Sequence, residues 1–166
     1  MITIQITAEQ IERAKQRYDF EKLKGSVMNG ASNIYGALGE IIYLDFLTSK
    51  GFKIVDESTY DYDFICNGFK IDIKSSKLNK VNEKYINTNI ECRLINHNQN
   101  AHFYFFCKIS EDFRSAYLLG YISKKEFIKQ AIFTCNGQAS VRGDNFNYRG
   151  DGWHIYHKDL NSFKIN

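Results

Sequence analysis

Asp61, Asp63, Asp72 and Lys74 stand within YDYDFICNGFKIDIKSSK, residues 60 to 77, on what the apolar pattern predicts to be two adjacent strands. A charge on a half-buried strand costs free energy unless it is paired, hydrated or bound to a metal, so the arrangement asks for a reason. Asn67-Gly68 supplies the positive φ angles of a type I′ turn, which predicts a hairpin of DFIC and FKIDIK. Cys66 then faces Phe69, and counting outward sets Asp63 opposite Asp72. Like charges so placed raise one carboxyl pKa, unless a divalent cation between them turns repulsion into coordination. Asp61 shares a face with Asp63 by parity, but the hairpin register makes Asp63 the partner of Asp72. Lys74, two residues beyond Asp72, projects from the same face.

Glu40 adds a carboxylate amid the apolar residues of GALGEIIYLDFL, just after Gly36 and Gly39. Small residues there let a helix backbone lie close to a sheet, and a glutamate beside them can then reach a site on it. An exposed glutamate on an amphipathic helix is the plainer alternative. Together Glu40, Asp63 and Asp72 make a hard oxygen site suited to Mg²⁺. With Lys74 to hold or deprotonate a water and to offset charge at phosphorus, the four residues suit phosphodiester hydrolysis.

DFICNGFKIDIK resembles the signature of the PD-(D/E)XK nuclease superfamily, with Asp63 on one strand and Asp72-Ile73-Lys74 on the next. GALGEIIYLDFL is similar to the helix that supplies an additional glutamate in many members, which puts Glu40 in that role. In order of elements the resemblance runs from residue 33 to residue 110. It implies a restriction-endonuclease-like core, a central mixed β-sheet flanked by helices. It further implies Mg²⁺, with Mn²⁺ as a substitute, held by Asp63, Asp72, Glu40 and the backbone carbonyl of Ile73, and Lys74 as the catalytic lysine. The implied activity is that of a DNA endonuclease of phage, mobile-element or junction-resolvase type. Tyr62 stands where the signature has proline, and the chain has 0 Pro. Gln99, just before HFYFF, is a possible polar contact with substrate, an ordinary loop glutamine being the plainer reading.

The elements that must position these residues are predicted as two helices, a meander of strands, one helix and a tail, an α+β or mixed α/β arrangement. Thr7 and Gln10 form a capping box for a first helix, AEQIERAKQRYDFEKLK, with Ile11, Ala14, Tyr18 and Leu23 on one side. A second, densely apolar helix is expected from Asn33 to Ser49, ended by Gly51. FKIV, the DFIC and FKIDIK hairpin, YINTNIECRLI, HFYFFCKIS and AYLLGYIS read as strands, KKEFIKQAIF as a short helix, and WHIYHKDL as a strand into a turn.

With 166 residues the chain is expected to form a single domain with an N-terminal helical segment over residues 1–50. A formal charge of +3 is only a weak bias toward anionic partners. Lys77, Lys80 and Lys84, after the lysine-bearing strand, are candidate phosphate contacts. So are Arg142 and Arg149 in QASVRGDNFNYRGDGWHIYH, where Asn145 and Asn147 suit base edges and Tyr148 and Trp153 suit unpaired bases; a glycine-rich surface loop is the alternative. The four cysteines, without a C-x-x-C pair, read as free and mostly buried thiols. The even spacing of Cys92, His97, His102 and Cys107 lacks the close ligand pairs of zinc sites. No signal peptide or 18-residue apolar run is visible, so the expectation is a cytoplasmic protein with no membrane partner. Cutting both strands with one site per chain would most simply use a homodimer. The contrasting possibility is an inactive DNA-binding or inhibitory module on the same fold.

Overall fold

The computed structural model describes residues 1–17, 33–57, 59–78, 91–94, 97–139 and 147–163. Helix α1 (Ala8–Arg17) opens on the expected capping box. Gln10 N–H donates to Thr7 Oγ1 at 3.2 Å, and Thr7 N–H donates to Gln10 Oε1 at 3.1 Å, so two otherwise orphaned donors are satisfied. The expected continuation through Tyr18 and Leu23 lies outside the described residues. Helix α2 (Asn33–Ser49) has the expected bounds. Gly51, at φ 80°, ends it in a left-handed turn in which Phe52 N–H reaches Leu47 O and Gly51 N–H reaches Thr48 O.

The described strands are β1 (Ile2–Gln5), β2 (Ile54–Asp56), β3 (Phe64–Cys66), β4 (Phe69–Leu78), β5 (Glu91–Leu94), β6 (Phe103–Ser110), β7 (Ser115–Ser123), β8 (Ile132–Thr134) and β9 (Gly152–Tyr156), with helix α3 (Lys124–Gln130) between β7 and β8. Six of them form one sheet in the order β1-β7-β6-β4-β3-β2, and β5-β9-β8 form a second of three strands. The fold is mixed α/β. Strands β4 and β6 pair in parallel and the other neighbours in the large sheet are antiparallel. The expected meander is corrected at this point. A parallel pair needs a crossover rather than a hairpin, and the crossover carries β5 into the second sheet.

Two cores fill the space on either side of the large sheet. Leu38, Ile41, Ile42 and Leu47 of α2 pack with Ile71, Ile73, Phe105 and Ile109, each fully buried side chain contributing about 1.5–3 kcal/mol. On the other face, Leu78, Tyr104, Phe106 and Leu119 pack with Cys92, Leu94 and Ile155 of the small sheet and Phe127 of α3. Along β4, therefore, Ile71 and Ile73 look toward α2, while Asp72 and Lys74 alternate to the other face. The expected helix KKEFIKQAIF is also shortened. It starts on Ser123, whose hydroxyl accepts from Glu126 N–H, and ends at Gln130, after which Ile132–Thr134 pairs with β9.

Candidate active site

Asn67 and Gly68 have φ angles of 48° and 85°, the two positive values of a type I′ turn. Cys66 pairs with Phe69, Ile65 with Lys70 and Phe64 with Ile71. The ladder ends at Phe64 and Ile71; Asp63, just before β3, donates its N–H to Ile71 O at 2.9 Å, one residue off the hairpin count that would set it squarely opposite Asp72, and still feels the charge of Asp72. The parity that made Asp61 a rival does not operate, because Asp61 and Asp63 both precede β3, and only Asp63 bonds to β4. Thr59 Oγ1 accepts the N–H groups of Asp61 and Tyr62, closing a turn just before Asp63. Tyr62, in the place of the proline, donates its hydroxyl to Glu57 and lies under Lys70 Nζ, 5.0 Å from the ring centroid.

Asp63 Oδ2 accepts the N–H of Ile73 at 2.6 Å. Asp72 is only 3% exposed, and Lys74 Nζ lies 2.7 Å from its Oδ2. The same Nζ donates to Gln99 Oε1 at 3.0 Å, and Gln99 Nε2 donates to Tyr60 O at 2.8 Å. Gln99 is thus a tether for the lysine, a role that the sequence reading did not assign. Its backbone carbonyl in turn accepts from Lys124 Nζ, which fixes the segment to the start of α3.

Glu40 arrives from α2. Its neighbour Gly39 sits where a Cβ would lie 1.7 Å from Ser75 Oγ and 2.7 Å from Ser75 Cβ, so only glycine permits this approach of helix to β4. Gly36 meets nothing within 4 Å and has no such part in the approach, contrary to expectation. Glu40 is 7% exposed and its Oε2 accepts from Arg17 Nε at 2.8 Å. The other guanidinium nitrogens of Arg17 bind both oxygens of Asp56 at 2.8 Å. The arginine therefore ties α1, α2 and β2 together beside the site. Arg17 follows the fully buried Ala14 by three residues and shares its inward face.

The carboxyl groups feel one another. Burial pushes the Asp63 pKa well above the ordinary value, and the charges of Glu40 and then Asp72 push in the same direction against the Ile73 N–H and Lys74. Burial raises the Asp72 carboxyl as well, opposed by the charge and hydrogen bond of Lys74. Arg17 is held above its ordinary value chiefly by its bond to Asp56, with Glu40 adding to it, and Asp56 is correspondingly lowered by Arg17.

This donor set suits a hard dication in kind, being three carboxyl groups whose mutual repulsion a divalent charge would relieve. Among the described residues no group of three His, Cys, Asp or Glu side chains is drawn together as a ligand cage. Lys74 stands on Asp72 and Arg17 on Glu40, so entry of a dication competes with these cations. Ile73 meets Asp63 through its N–H.

The proposed nucleic-acid contacts distribute differently. Lys77 lies within β4, an odd number of residues from Lys74 and hence on the opposite face, and its Nζ pairs with Glu111 at 2.5 Å. Lys80, Lys84, Arg142 and Asn145 lie outside the described residues. Arg149 is exposed at a bend. Tyr148 is buried, with Arg93 4.2 Å above its ring centroid, so it is not a free stacking surface. Cys66, Cys92 and Cys107 are buried free thiols and Cys135 an exposed one, while His102 Nδ1 accepts from Lys70 N–H. No protein-family model and no curated protein matches the chain. Among the described residues no helix is long and apolar enough to cross a membrane.

Proposed function

We propose that the protein is a divalent-metal-dependent endonuclease that hydrolyses phosphodiester bonds in DNA on a restriction-endonuclease-like core. The observation that supports this reading is the Lys74–Asp72 pair beside Asp63, a buried carboxyl that feels the charges of both Glu40 and Asp72. Asp63, Asp72 and Glu40, with the Ile73 carbonyl, are the residues that would hold Mg²⁺ or Mn²⁺. Such an ion supplies an activated water and charge neutralisation at the phosphate. Lys74 carries a positive charge to the phosphorus that is attacked and orients the water, while Gln99 holds its ammonium group in place.

A second reading, an inactive DNA-binding or inhibitory module, is favoured by one feature: the Lys74 and Arg17 pairs already compensate Asp72 and Glu40 within the protein. Cleavage separates the two. Supercoiled plasmid, linear duplex and a four-way junction are incubated with Mg²⁺, Mn²⁺ or EDTA, with Asp72→Ala and Lys74→Ala as controls of verified fold. Metal-dependent cutting that falls by about a hundredfold or more in both variants is the expected result. Binding without cutting on every substrate overturns the enzyme reading in favour of the module.

A further inference from the structure

Beyond Lys74 the same face of the large sheet opens into a cavity of about 240 Å³, closed on its other side by β5 of the small sheet. Among the described residues three cationic side chains line it, Lys74, Arg93 and Lys108, and no carboxylate does. Ser76 adds a hydroxyl to the lining, while the side chain of neighbouring Ser75 turns toward α2. The parallel register explains the grouping: Lys74 pairs with Phe106 and Ser76 with Lys108, so Lys108 lies one side-chain step along the strands from Lys74. Lys108 Nζ donates to Ser76 Oγ at 2.7 Å, which holds it over β4. Arg93 is held from the facing sheet by a hydrogen bond to Gly150 O and by the ring of Tyr148.

Leu119 completes the wall at an irregularity of the β6 and β7 pairing. Phe106 faces Gly120 and Cys107 faces Leu118, which leaves Leu119 as the extra residue of a bulge. Bulges re-aim side chains and recur beside active sites. Cys92 and Cys107, also in the lining, stay uncharged at neutral pH, because burial pushes each thiol up to about 12. The cavity is therefore a recess with a mostly apolar wall and cationic side chains in its lining, opening beside the proposed catalytic lysine.

We infer that this recess is a phosphate subsite, in which Lys108 and Arg93 hold a phosphate group of the nucleic-acid strand next to the one brought to Lys74. Two residues of strand rise span about 6.6 Å, the order of the distance between successive phosphates of a strand. The identity of the ligand rests on the nuclease reading; the recess and its charge do not. The phosphate is either internal to the strand or a terminal monoester, and both present the same oxygens to the same cations.

Binding of a fluorescein-labelled twelve-nucleotide single strand, with and without a 5′-phosphate, is measured by anisotropy in EDTA over a range of salt for wild type, Lys108→Gln and Lys108→Arg. Glutamine keeps a donor toward Ser76 and removes the charge; arginine keeps the charge. Lys108→Gln is expected to weaken binding about three- to tenfold and to lower the salt slope by about 0.7, while Lys108→Arg binds as wild type does. A wild-type advantage for the 5′-phosphorylated strand that vanishes in Lys108→Gln assigns a terminal phosphate; an equal loss on both strands assigns an internal one. Unchanged binding and salt slope in Lys108→Gln, or no binding by wild type, overturns the subsite. Failure of the nuclease reading shows separately, as wild type that binds in EDTA but does not cut when Mg²⁺ is added.

Discussion

Replacing Asp63 by asparagine separates what this side chain costs the fold from what it does in the proposed chemistry. Its carboxyl is held well above the ordinary aspartate value of 3.8 by burial and by the charges of Glu40 and Asp72. The native state therefore binds a proton more tightly than the unfolded chain does, so stability falls as pH rises from the ordinary value through the raised one. Asparagine carries no such loss, and its amide oxygen still accepts from Ile73 N–H. Asp63→Asn is expected to be more stable than wild type at pH 7 by about 1 kcal/mol, or 2–4 °C in Tm, the gap closing below about pH 4, while cleavage is lost. Thermal melts at pH 3.5 and 7 check this, and a variant less stable than wild type at pH 7 refutes it. The hairpin register from Cys66 and Phe69 to Phe64 and Ile71 was legible in the sequence because it follows from a two-residue turn and a count of neighbours, while the last step to Asp63 departs from that count. The pairing of Arg17 with Glu40 was not legible, since it depends on how α1 packs on α2 across 23 residues of chain.

At the level of elements, local signals were faithful and long-range pairings were not. The Thr7 and Gln10 box, the bounds of α2 and the turn at Gly51 are each written in a few adjacent residues. The parallel pairing of β4 with β6 has no local signature, because a strand reads alike whichever neighbour it takes. Strand β1 and the second sheet were missed for a related reason: ITIQ and IFT are short runs stabilised by partners distant in sequence, β7 and β9. Two glycines of α2 give a test of how the helix delivers Glu40. Gly36→Ala places a methyl group in open space and improves helix propensity, so it is expected to stabilise by about 0.8 kcal/mol. Gly39→Ala drives Cβ into Ser75 and must push α2 away from β4, costing about 1–3 kcal/mol net and moving Glu40 off the site. Urea melts of the two variants, with cleavage rates alongside, should show opposite signs of stability and a loss of cutting in Gly39→Ala alone. Equal behaviour would mean that the helix does not depend on this close approach.

For the whole molecule, the site lies where α1, α2, β2, β3 and β4 meet, so its electrostatics should register in global unfolding. Arg17 already supplies part of the compensation, with 13% of its side chain exposed against 9% for Glu40. Removing one partner of so enclosed a pair leaves an uncompensated charge, and Arg17→Met is expected to destabilise by about 3 kcal/mol. A dication that binds the folded carboxylates but not the unfolded chain stabilises by mass action, about 2.7 kcal/mol at a hundred times its Kd. Adding Mg²⁺ or Mn²⁺ should therefore raise the Tm of wild type, and EDTA should reverse the rise. The rise should be larger in Arg17→Met, where Glu40 has lost its cation and the competition for it has gone. It should be absent from Asp63→Asn and Asp72→Asn. A shift of the same size in all four proteins would place the ion elsewhere on the molecule, and no shift in any of them would leave Arg17 and Lys74 as the only cations these carboxylates take.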